Sequence, residues 1–184
     1  FEIEEIDKEI FKDLKIDKLL KSKNILKQIN TKNEVNLNSK KFSRSFFDKL
    51  NLKFDLAYGR FNYSKKISIL DGVIQCNGNV NLLEEFPLLF FDCLVNLKTK
   101  GDLLKKFNID TKKGNKTINL YVKGNLNILN RKINFKDISL NGNYKASNED
   151  LNYFKENFEN ILFNENFLGI FNSKKIKEFI LEIS

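Results

Sequence analysis

Apolar and polar residues alternate along the middle of this chain with a period of two. Ile74, Cys76, Val80 and Leu82 alternate with Gln75, Asn77, Asn79 and Asn81, the pattern of a strand with one oily face and one wet face. Leu50, Leu52, Phe54 and Leu56 repeat it against Asn51, Lys53 and Asp55. So do Ile118, Leu120, Val122, Leu126 and Ile128 against Asn119, Lys123, Asn125 and Asn127, over a stretch longer than a usual strand of about five or six residues. The alternation predicts strands from Val35 to Asn38, Leu50 to Ala57, Arg60 to Tyr63, Lys66 to Leu70, Val73 to Leu82, Leu88 to Lys98, Thr117 to Leu129, Lys132 to Phe135 and Ile138 to Tyr144.

The links between these runs are short and polar, with Asp71-Gly72, Lys113-Gly114-Asn115 and Asn130-Arg131 as turn chemistry, so successive strands are expected to be antiparallel neighbours. Between Ile133-Phe135 and Ile138-Leu140 the apolar parity switches at Lys136-Asp137, which predicts a bulge or small bend. The two ends of the chain change period. Ile3, Ile6, Ile10 and Leu14 recur at helical spacing, and Leu19, Leu20, Ile25, Leu26 and Ile29 form a second short set. Near the other end, Ser147 and Asp150 have capping-box spacing ahead of a stripe of Leu151, Phe154, Phe158, Ile161 and Leu162. A last helix is expected from Ser173 to Ile183.

The fold class is therefore mainly β with terminal helices (α+β), built as a curled antiparallel β-meander. Residues 1–34 form a helical lead-in, 35–146 the sheet and 147–184 a C-terminal helical cap, in one structural unit; 184 residues suffice for one domain with a real core. A sheet that is apolar on one face must have that face covered. With helices only at the ends, two arrangements remain: the sheet closes a core with the terminal helices, or part of the face is an open groove for acyl chains. On the groove reading the lipid-facing candidates are Leu52, Phe54, Leu56, Ile74, Val80, Leu89, Phe91, Val95, Ile118, Leu120, Val122, Leu126 and Ile128.

Cys76 and Cys93 fall on the apolar faces of neighbouring strands, and a hairpin centred between Glu84 and Glu85 sets them opposite each other. Two buried thiols is the plainer reading, since cysteine is among the most buried residue types and a directly cross-strand bridge is easily strained. A disulfide in an oxidising compartment is the alternative.

The net charge is +8, which is compatible with anionic partners. The basic residues are nearly all Lys, with arginine only at 44, 60 and 131, whereas phosphate and base-edge recognition favours the bidentate guanidinium. No nucleic-acid partner is expected. Histidine is absent, which removes the commonest general base and metal ligand. Gly72, Gly78 and Gly124 are isolated and form no phosphate-cradling loop. The pairs Glu4-Glu5, Glu84-Glu85 and Glu149-Asp150 sit on helix faces or turns and read as solvated surface, and Asp92 points to the polar face with no role. The sequence predicts no enzyme, no metal and no cofactor. The eighteen Phe read as packing, because stacking platforms interleave exposed aromatics with Arg.

No run of about eighteen apolar residues occurs, so no segment reads as a membrane-spanning helix. A start at Phe1 with no Met anywhere reads as a segment of a longer or processed polypeptide.

Three runs carry a resemblance. They are Lys66 to Leu82 (KISILDGVIQCNGNVNL), Thr117 to Leu129 (TINLYVKGNLNIL) and Phe135 to Tyr144 (FKDISLNGNY). Strand, turn and an alternating strand that passes through Gly, followed by a helical tail, resemble the C-terminal region of AsmA-like proteins of Gram-negative envelopes, from about Val35 to the end. The resemblance implies a periplasmic β-groove on a parent anchored in the inner membrane by an N-terminal segment outside this chain. It implies phospholipid as cargo, conducted toward the outer membrane, or a part in outer-membrane assembly with envelope-protein partners. The competing expectation is a structural or interaction module with a closed core and no lipid.

Overall fold

Eight strands pair in chain order into one antiparallel sheet: β1 (Asn30–Asn38), β2 (Lys49–Ala57), β3 (Arg60–Ile69), β4 (Gly72–Asn81), β5 (Leu88–Leu97), β6 (Ile118–Asn127), β7 (Lys132–Leu140) and β8 (Tyr144–Lys145). A short helix α1 (Lys23–Leu26) precedes them, and α2 (Asn148–Asn157), a π-helical turn (Phe158–Leu162) and α3 (Ser173–Glu182) follow. The structure is a computed structural model that describes residues 20–38, 48–69, 72–99, 117–163 and 173–182. The fold is mainly β with terminal helices, an antiparallel meander as the alternation predicts. The helix expected from Glu2 to Leu14 and the Lys113-Gly114-Asn115 turn lie outside the described residues, as do Leu70, Asp71 and Ile183. Among the described residues no helix is long and apolar enough to cross a membrane.

The strands differ most from expectation at β1, β3 and β7, each for a physical reason. β1 begins at Asn30 rather than Val35, so the lead-in is shorter than residues 1–34. Thr31 and Asn33 stand where the alternation would have apolar residues, which hides the strand's first half. β3 is one strand from Arg60 to Ile69, not two; its alternation is interrupted at Lys65, which shares the parity of Phe61, Tyr63 and Ile67. β7 is likewise continuous, and the parity switch within it is a bulge. Lys123 pairs with Asp137 while Gly124 pairs with Phe135, leaving Lys136 as the extra residue.

β7 then ends at Leu140, short of the Tyr144 end read from the pattern. Asn141 and Gly142 both have positive φ, 54° and 69°, the requirement of a tight hairpin turn that Asn-Gly satisfies. The Asn143 N–H donates to the Leu140 carbonyl across it at 3.2 Å, and the chain returns as β8.

Two apolar clusters anchor the helices to the sheet. The larger buries Leu126, Ile133, Phe135, Ile138 and Phe163, with Leu151, Phe154 and Phe158 of the C-terminal region packed on them. Phe158 is its hub, edge-on to Phe135 at 5.8 Å, to Phe163 at 5.2 Å and to Phe179 of α3 at 5.6 Å, an arrangement that sets the positive ring edge against the negative ring face. The smaller cluster seats Leu20 and Leu26 on Val80 and Leu82.

Local chemistry fixes where the helical cap begins. The Ser147 hydroxyl accepts from the Asp150 N–H at 3.2 Å, and the Asp150 carboxylate accepts from the Ser147 N–H at 2.8 Å, completing the capping box read from the sequence. The Tyr144 hydroxyl donates to the same carboxylate at 2.8 Å. The cap also closes the outer edge of β7: Glu159 accepts from the Ile133 N–H at 2.9 Å and pairs with Lys132 at 2.7 Å.

Candidate functional site

The strand register assembles one continuous apolar face. Across the sheet, Leu37 pairs with Leu50, Ile67 with Ile74, Ile74 with Val95, Val95 with Leu120 and Leu120 with Leu140. A second row runs from Leu56 through Phe61 and Val80, and on through Leu89 and Leu126 to Ile133. Twelve of the lipid-facing candidates therefore lie on strands with this parity. Ile128 is the exception: it falls just beyond β6, in the β6–β7 connection, and packs beside both clusters.

The helices divide this set. Val80 and Leu126 are buried within the clusters, and Leu56, Leu89, Phe91, Leu120 and Val122 pack against them. Leu52, Phe54, Ile74, Val95 and Ile118 belong to neither cluster and are half-buried. Together with Ile67 they form the middle of the face, outside both places where the described helices meet the sheet.

Four further residues belong to this middle, and two of them were not singled out by the sequence pattern. The sulfurs of Cys76 and Cys93 are bonded, so of the two readings of that pair the structure takes the bridge rather than two buried thiols. It crosslinks β4 to β5 at directly opposed positions. The others are Tyr63 and Lys65 of β3. Tyr63 pairs with Phe54 and Gly78, and Lys65 with Leu52 and Cys76, so both side chains share the apolar face. Lys65 is the one charged residue at any register position of this face among the described residues.

Both side chains are half-buried beside apolar neighbours. Desolvation pushes the Lys65 ammonium below the usual lysine range and raises the Tyr63 phenol above its usual value, and no hydrogen bond or charge offsets either effect. Among the described residues no carboxylate or carbonyl pairs with the Lys65 ammonium.

The opposite face is mostly polar, and of its larger apolar residues, Val73 on β4 and Leu88, Phe90 and Leu94 on β5, Phe90 and Leu94 are exposed. The Phe90 ring lies 5.6 Å from the Lys136 ammonium. Asp92, read from the sequence as without a role, accepts from the Tyr121 hydroxyl at 2.8 Å. That hydrogen bond, with desolvation and the Asp92 charge behind it, raises the Tyr121 phenol. Among the described residues no three His, Cys, Asp or Glu side chains converge as a metal site. A hollow of about 410 Å³ at the β2–β3 turn, lined by Ala57, Tyr58, Arg60, Asn81 and Leu83, contains no acid–base pair.

Compared with known proteins, the chain matches no protein-family model, no curated protein and no solved structure.

Proposed function

We propose that this chain is a non-catalytic, periplasmic segment of an AsmA-like envelope protein, and that its apolar sheet face holds or conducts phospholipid acyl chains between the inner and outer membranes. The observation that carries the reading is the middle of that face. Leu52, Phe54, Ile67, Ile74 and Val95 share one side of four adjacent strands, outside both clusters in which helices meet the sheet. Burying acyl chain there gains about 0.8 kcal/mol per CH₂, so a lipid regains along the face much of what it loses on leaving a bilayer. Conduction needs many shallow positions rather than one deep well, and a row of similar aliphatic side chains supplies them.

Two further features support it. The Cys76–Cys93 bridge persists in oxidising compartments such as the periplasm. The repeated passage of strands through Gly, at Gly78 and Gly124, is part of the AsmA-like grammar. Such a parent is anchored in the inner membrane by a segment N-terminal to this one.

One observation favours a second reading, an interaction module of the envelope with a closed core. β1 heads the sheet and, among the described strands, pairs with β2 alone, so its outer edge offers backbone groups for strand addition by an envelope-protein partner. Incubation of the purified chain with phospholipid vesicles, followed by native mass spectrometry, separates the two. The lipid-conduit reading expects bound phospholipid. A clean apo mass supports the interaction module.

A further inference from the structure

The break in the alternation at Lys65 is where a single cation enters an otherwise uncharged face. Its cross-strand neighbours are Leu52 and Cys76, and along β3 on the same side stand Tyr63 and Ile67. A lysine ammonium held near low-dielectric surface without a counter-charge is destabilising, and this one has no partner among the described residues. Tyr63, two residues away, presents a phenol that is also without a hydrogen-bond partner among the described residues. Positions two apart on a strand are separated by about 6.6–6.8 Å, a spacing that two donors can span to converge on one small anion. An apolar surface carrying a few convergent polar groups is the general form of a small-molecule site.

We infer that Lys65, assisted by the Tyr63 hydroxyl, binds the anionic oxygen head of a long-chain amphiphile whose hydrocarbon tail lies along Leu52, Phe54, Ile67 and Ile74. The inference rests on the proposed reading of the face as an acyl-chain surface and adds to it a fixed polar anchor. Charge complementarity selects the occupant. Among the described residues the face offers a cation and a neutral donor but no carboxylate, so an anionic head is stabilised there and a cationic one is not. Carboxylate and phosphate heads share this chemistry. An anchored head also gives the tail a defined starting point, which a purely apolar row lacks.

The test uses three probes with the same saturated chain of sixteen carbons: hexadecanoate, hexadecyl phosphate and methyl hexadecanoate. Each is measured by equilibrium dialysis below its aggregation threshold. The expected result is that an anionic probe binds about tenfold more tightly than the neutral ester, the size of one charge-assisted hydrogen bond. Lys65→Met, which keeps the length and apolar stem, is expected to erase that preference while leaving ester binding in place. Lys65→Arg is expected to retain it, and Tyr63→Phe to reduce it. Whichever anion is favoured identifies the head as a fatty-acid carboxylate or a lipid phosphate. Equal binding of all three probes to the native chain, or a preference that survives Lys65→Met, overturns the Lys65 assignment and leaves the acyl-chain reading standing. Failure of every probe to bind overturns both.

Discussion

The ring of Phe91 lies over Gly124, its cross-strand partner on β6, where a Cβ would stand 2.7 Å from the ring's Cζ. Phe91 faces a second glycine, Gly78, on its other side, and the ring of Tyr63 occupies the space above that one. The glycines in these strands therefore make room for aromatic rings laid along the sheet. A side chain at either position has to displace a ring or the backbone opposite.

Gly124→Ala is accordingly expected to cost about 1–3 kcal/mol, the usual range for overpacking. Combining it with Phe91→Leu removes the Cζ contact but not the close Asn134 carbonyl, so the double variant should destabilise by less than the sum of the two single changes. Denaturant midpoints of the four proteins measure the coupling. Strict additivity would show that the ring and the glycine are independent.

At Ile133, beyond the reach of β8, a carboxylate rather than a strand closes the edge of β7. Glu159, with a side chain only 11% exposed, accepts from the N–H of Ile133, itself 4% exposed. Glu159→Ala leaves that buried donor unpaired and is expected to cost about 1–3 kcal/mol. Amide exchange at Ile133 should accelerate. Glu159→Gln keeps a carbonyl acceptor in place and should preserve most of the protection, so equal loss in both variants would mean that the carboxylate is not what caps this edge.

Most of the sheet was legible because its strands bury one face only. β4 and β6 could be read directly, with inward Ile74, Cys76 and Val80 and inward Ile118, Leu120 and Val122 set against outward Asn and Lys. The bulge was legible as a parity switch at Lys136-Asp137. β1 was shortened because Thr31 and Asn33 are polar at positions that cover little core. β3 was divided because Lys65 occupies an inward position, and a pattern of apolar residues treats an inward charge as a break. Local rules are violated most often at functional positions, and here the residue that spoiled the strand pattern is the one that gives the face a chemical identity. The division of that face between the part the described helices pack on and the rest was not legible, because it depends on where α2, α3 and α1 dock.

Acid should loosen the start of the C-terminal cap. The backbone hydrogen bond from Ser147, then the Tyr144 and Ser147 hydroxyls, hold the Asp150 carboxyl below its ordinary value. A folded value below the unfolded one means that its contribution is complete above the ordinary carboxylate range and is lost as pH falls through the lowered value. The window therefore lies below about pH 4. Amide exchange in the first turn of α2 should rise there, and Asp150→Asn should show the faster exchange already at neutral pH with no further change across that window. A native profile that is flat below pH 4 would contradict the assignment.

The account stands on the middle of the apolar face being open to acyl chains, and the neighbours Ile74 and Gln75 test it most directly. Ile74 points into that face and Gln75 away from it. Ile74→Asp and Gln75→Asp proteins, each confirmed folded by a cooperative thermal transition, would be exposed to phospholipid vesicles and the retained lipid quantified by native mass spectrometry. The account predicts that retention is lost in Ile74→Asp and kept at the native level in Gln75→Asp. Equal retention in the two variants, or no lipid on the native chain, would contradict it.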